Sequence, residues 1–172
     1  LLRFAKTAGY AHIGIAKAMM HELDGALLAD LAASGLDELN IPLYGVTAET
    51  NDVVTGRTGH FEHLVLVASQ AKNLDIKIKF HSVALKMNLH ELEAIPALAE
   101  KLGGYFFNFL YVRYHGDKRL SVDNLMPRIT DLPLSVRRRL NLQIPCIEAG
   151  ADFAEKTANG NSMAENIRQG NN

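Results

Sequence analysis

The side chains able to do chemistry fall into a few short runs. Tyr44-Gly45 closes an apolar run carrying Leu39, Ile41 and Leu43. A glycine there lets a ligand approach the backbone, and a tyrosine can stack on it or hydrogen-bond to it. Arg57 stands between Thr55 and Gly59 in a polar stretch, a guanidinium placed to pair with a carboxylate. Lys86 and Asn88 follow the clearest β-branched run, and Arg113 and His115 close an aromatic one. His60 and His63 have the spacing of a chelating pair on one helix face, but no third ligand follows at a diagnostic distance. Arg137-Arg138-Arg139 reads as a solvated face or as a docking patch for an acidic partner. Each group also has a plainer reading. Gly45 suits an ordinary turn, Arg57 a solvated loop, Asn88 a helix cap, and Arg113 with His115 a polar strand end.

The elements that must position these groups alternate along the chain. Residues 1–9 read as the end of a helix stopped by Gly9, and His12 to Ala16 as a short strand. Asp24 caps a helix with Leu27, Leu28, Leu31 and Ala32 on one face, ended by Ser34-Gly35. Asp37 to Tyr44 reads as a strand, Val46 to Thr58 as a polar loop, and Gly59 to Asn73 as a second amphipathic helix. Ile76 to Leu85 is the clearest strand. Asn88 and Glu91 have capping-box spacing before a helix carrying Leu92, Ile95, Ala99 and Leu102, in which Pro96 predicts a kink. Tyr105 to Tyr114 reads as a fourth strand, with helical segments over Ser121 to Thr130 and Pro133 to Leu140. The stretch from Ala149 is polar, rich in Asn and Gly.

Strands separated by helices imply crossover connections and a parallel sheet, either doubly wound or part of a (β/α) barrel. In both architectures ligands gather at the carboxyl ends of the strands. Those ends are Tyr44-Gly45, Lys86 to Asn88, and Arg113 to Gly116.

Composition narrows the classes. The 172 residues are 48% hydrophobic and 22% charged, enough for a real core. A net charge of −1 gives no argument for a nucleic-acid or anionic-membrane partner. No apolar run approaches the roughly 18 residues of a membrane span, and no secretory signal is visible, so a cytoplasmic protein is expected. The one cysteine, Cys146, excludes an internal disulfide. No G-x-G-x-x-G loop is present to cradle a phosphate. The chain begins without Met, and the expectation is a fragment.

The run from Gly35 to Gly45, then Glu49-Thr50-Asn51-Asp52 and Thr55-Gly56-Arg57-Thr58-Gly59-His60-Phe61, resembles the middle of radical S-adenosylmethionine enzymes. Val83 to Leu92 is similar to that family's next strand-to-helix junction, and Pro145-Cys146 with Ala149-Gly150 looks like the start of its SPASM extension. The resemblance covers roughly residues 1–150. It implies an α/β fold, part of a (β/α)6 barrel over residues 1–145, with a polar C-terminal tail over 146–172. It also implies a [4Fe-4S] cluster and S-adenosylmethionine in the parent enzyme, and a peptide or related substrate. Tyr44, Gly45, Arg57, Lys86 and Asn88 would then lie nearest the cofactor, and Arg113 and His115 nearest the substrate.

The sequence also departs from the family's pattern. Pro42 stands where the family has a strand-end serine, and Ala18-Met19-Met20 where it has Thr-Asn-Gly. Such clusters need three thiolates, and with Cys146 alone this chain is not expected to hold one; Cys146 reads as a free thiol or an auxiliary-cluster ligand. The resemblance therefore implies either a C-terminal fragment of such an enzyme or a copy that has lost the chemistry; the alternative is a non-catalytic binding module of barrel-like fold.

Overall fold

A computed structural model describes residues 1–16, 22–111 and 124–141. The sheet is built where apolar residues alternate or run together. In β3 (Lys77–Val83), Ile78, Phe80 and Ser82 are buried while Lys77, Lys79, His81 and Val83 take the other face. In β2 (Glu38–Pro42), Leu39 and Ile41 match Ile78 and Phe80 across the ladder. β1 (Gly14–Ala16) pairs with the start of β2, and β4 (Tyr105–Leu110) pairs with β3. All three pairings are parallel and the order is β1-β2-β3-β4.

That order decides between the two architectures. Each strand is added beside its predecessor with no reversal. Crossovers of one hand therefore carry every connecting helix to the same face. A doubly wound sheet would reverse its order and cover both faces. This is α/β with four parallel strands, arranged as in part of a (β/α) barrel.

The core lies between the sheet and α2 (Gly25–Ala33), α4 (His60–Asn73), α5 (Ile95–Lys101) and α6 (Leu134–Asn141). Leu28, Leu64, Val67, Ala71, Ile95, Val136 and Leu140 pack there with Leu39, Ile41, Phe80 and Phe109. Each large apolar side chain so buried contributes roughly 1.5–3 kcal/mol before entropy is charged. α1 (Leu2–Thr7) buries no residue fully; Lys6 anchors it by an ion pair to Asp37 at 2.7 Å. No helix among the described residues is long and apolar enough to cross a membrane.

Four local expectations are revised. Residues 48–55 are not loop but a helix, α3 (Ala48–Thr55), because Thr47 caps its start and Gly56, at φ 67°, supplies the left-handed residue that ends it. Pro96 makes no kink. The segment after β3 passes through two 3-10 turns, so α5 starts only at Ile95 and Pro96 occupies its first turn, where no amide donor is needed. Asn88 and Glu91 consequently do not box that helix and bond elsewhere. Residues 124–130 contain turns and the start of a 3-10 turn rather than a regular helix.

Candidate functional site

At the carboxyl end of β2 the backbone turns sharply into α3, and three buried polar side chains hold the turn. Asn51, fully buried, accepts from the Tyr44 amide at 3.1 Å and donates to the Gly45 carbonyl at 2.7 Å. Asn88, also fully buried, accepts from the Leu85 amide at 2.8 Å and donates to the carbonyls of Tyr44 at 2.7 Å and Val83 at 2.9 Å. It thereby ties the end of β3 to the end of β2. Glu91, 8% exposed, accepts from the amides of Val46 and Thr47 and from the hydroxyls of Thr47 and Thr50, each hydroxyl at 2.7 Å. Burial alone would raise its carboxyl, but these hydrogen bonds outweigh it and hold Glu91 below the ordinary value.

Of the residues expected near a cofactor, the structure brings Tyr44, Gly45 and Asn88 together in this turn. Gly45 has a packing reason: a Cβ there would stand 2.5 Å from Glu91 Oε2 and Thr50 Cγ2. The polar atoms of Asn88 are engaged with backbone. Tyr44 is half-buried, and burial pushes its hydroxyl above the usual value. Lys86 is exposed; its amide donates to Leu125 O at 2.8 Å and its charge helps hold the Asp131 carboxyl down, after the Arg128 hydrogen bond.

Arg57 is not part of that network. It is exposed and lines a cavity of about 290 Å3 with Thr58, Gly59, His60 and His63 at the start of α4. Asp52 already occupies the helix terminus, accepting from the amides of Gly59 at 2.6 Å and Phe61 at 3.1 Å. His63 Nε2 lies 3.0 Å from the Leu23 carbonyl, which commits that nitrogen away from a chelating pair. Among the described residues no group of three His, Cys, Asp or Glu could hold a metal ion. Arg113, His115 and Cys146 lie outside the described residues. The Arg137–Arg139 run does not form one patch: Arg139 packs its guanidinium 5.4 Å from the Phe106 ring centroid and Arg137 is half-buried.

The sheet face opposite the helices was not singled out from the sequence, and it is polar. His81 pairs with Asn108 across β3 and β4, and Asn40 of β2, paired with Lys79 one row toward the amino ends, reaches His81 diagonally. His81 Nδ1 is 2.8 Å from Asn40 Oδ1. Burial, then the neighbouring Lys79 charge, holds the imidazole below its ordinary value. A register shift in β4 leaves Phe107 unpaired and brings Asn108 opposite His81. Asn108 is 5% exposed and its Oδ1 has no partner among the described residues, a state that costs about 1–3 kcal/mol. One row away, the Tyr105 hydroxyl donates to Glu38 at 2.8 Å. Burial and that carboxylate push the phenol up to about 12. The available signal was the strict alternation of Lys77, Lys79 and His81 in β3, since a parallel strand covered on both faces is apolar throughout.

The chain is distantly homologous to radical S-adenosylmethionine enzymes. Its relatives include the PqqA peptide cyclase of Rhizobium meliloti (strain 1021), 29% identical over 105 residues, which are 61% of this chain and 28% of that protein. The PqqA peptide cyclase of Ruegeria pomeroyi is 33% identical over 94 residues, 55% of this chain and 25% of that protein. The AdoMet-dependent heme synthase of Methanosarcina barkeri is 29% identical over 94 residues, 54% of this chain and 27% of that protein. The chain thus spans about a quarter to a third of the length of the curated relatives it matches. No family model matches it. Coproporphyrinogen III oxidase from Escherichia coli, described as a radical SAM enzyme, superposes with a TM-score of 0.49 at 12% identity over 80% of this chain and 31% of that chain.

Proposed function

We propose that this chain supplies the part of a radical S-adenosylmethionine barrel that holds the cofactor's organic half, in an enzyme acting on a peptide or related substrate. The observation that carries the reading is the turn after β2, where Asn51, Asn88 and Glu91 satisfy the backbone and leave the Tyr44 ring and hydroxyl at a strand end. On this reading Tyr44 contacts S-adenosylmethionine, Arg57 pairs with its carboxylate, and Lys86 lies at the rim. Gly45 and Asn88 are positioning residues, since packing and backbone bonds occupy them. Arg113 and His115 face the substrate, and residues from 146 onward begin an extension.

The cluster does not fit these residues. A single cysteine cannot supply three thiolates, so no chemical step is assigned to the 172 residues themselves. That same count favours, as the second reading, a binding module that keeps the groove without the radical chemistry. The peptide substrate is taken from the relatives named as PqqA peptide cyclases.

Equilibrium dialysis of the chain against S-adenosylmethionine tests the proposal. Saturable binding is expected, weakened about tenfold or more by Arg57→Ala, the loss for one charge-assisted pair. Anaerobic iron–sulfide reconstitution is expected to yield no cluster absorbance. Absence of saturable binding sinks the reading, and a reconstituted cluster overturns the division of labour.

A further inference from the structure

The sheet face opposite the helices carries two hydrogen-bond acceptors side by side with no donor between them among the described residues. Asn40 Oδ1 can only accept, so the His81 ring proton lies on Nδ1 and Nε2 presents its lone pair. Asn108, paired with His81 in the next strand, carries a buried Oδ1 with no partner among the described residues. Paired strands hold these residues about 4.8 Å apart.

Nearby groups among the described residues do not fill the gap. Pro42, opposite His81 on the β2 side, has no donor. Val83 and Leu110, paired on this face toward the carboxyl ends, are apolar. Toward the amino ends, the Tyr105 hydroxyl is given to Glu38, and the Lys79 ammonium rests 3.7 Å from the Phe107 ring centroid.

We propose that this face is a binding site for a neutral, planar NH2 group, whose two diverging hydrogens are accepted by His81 Nε2 and Asn108 Oδ1. A carboxamide or an amino-substituted heterocycle carries that group. Ammonium and guanidinium ligands are disfavoured because Lys79 stands one row away on the same face. Asn40 is a positioning residue that fixes the imidazole tautomer. The site does not depend on the proposed cofactor reading: it uses mid-strand residues of the open face, not the turn at Tyr44.

The test uses the full chain, isotope-labelled, with imidazole nitrogen and side-chain amide resonances followed by NMR. At neutral pH the His81 signals should show the Nδ1–H tautomer. N-acetylglycinamide or adenosine should shift the His81 and Asn108 signals saturably; the first identifies a carboxamide ligand and the second an amino-heterocycle. N,N-dimethylacetamide, which has no N–H, and methylammonium should not. His81→Phe and Asn108→Leu should each weaken binding about tenfold. Asn40→Leu, on a half-buried side chain, should weaken it while shifting the tautomer toward Nε2–H, a change no merely structural role produces. If neither probe saturates, or dimethylacetamide or methylammonium binds as well, the proposal fails. Its failure leaves the dialysis result for S-adenosylmethionine standing, and the reverse also holds.

Discussion

Glu91 receives four hydrogen bonds from the β2–α3 turn and the first turn of α3, more than forty residues away in sequence. Replacing it by Gln keeps the shape but turns one acceptor into a donor facing donors. The expected loss is roughly 3 kcal/mol, since bonds to a charged group count about 1.5–3 and unpaired buried donors add to it. Gly45→Ala drives a Cβ into the same carboxylate and should cost about 1–3 kcal/mol. Urea melts of both variants check this, and midpoints within error of the parent would remove Glu91 from its role. The sequence shows why the role was hard to read. Asn88 and Glu91 have the spacing of a local capping box, and spacing alone does not distinguish a neighbour's amide from one brought close by the fold. His81 was hidden for the opposite reason, since one histidine in a strand carries no motif.

At the scale of elements, strands and amphipathic helices were legible because burial imposes a period, whereas α3 was not. Its residues Glu49, Thr50, Asn51 and Asp52 are polar, and the side chains that stabilise it work through caps and backbone bonds rather than an apolar stripe. Asp52 links α3 to α4 by capping the next helix through Gly59 and Phe61. Asp52→Ala should therefore cost about 1 kcal/mol and raise amide exchange at Gly59 and Phe61 before any loss in β3. Exchange should also rank the strands. β3 is paired on both sides, whereas β1 has three residues and a single neighbour. Fast exchange in β3 with protection in β1 would contradict the packing described.

At the scale of the molecule, the fold places apolar burial on one sheet face, His81 and Lys79 on the other and Glu91 at the strand ends, and this sets the response to acid. His81 has an ordinary value of 6.5 and a lowered one when folded, so below that pH the unfolded chain binds the extra proton more readily. Its contribution is full above pH 6.5 and is lost as the pH falls from there toward the folded value. Glu91 acts later: its carboxyl is held below 4.5, so that stability is present above pH 4.5 and disappears as the pH drops through the folded value. Thermal midpoints should therefore decline in two stages. His81→Phe should flatten the first and spare the second, and Glu91→Gln should do the reverse from a lower plateau. The histidine stage depends on burial beside Lys79. Lys79→Gln should consequently shrink it without abolishing it. A single-stage decline unchanged by His81→Phe would mean that the imidazole charges as freely in the folded chain as in the unfolded one, and that the open face does not enclose it.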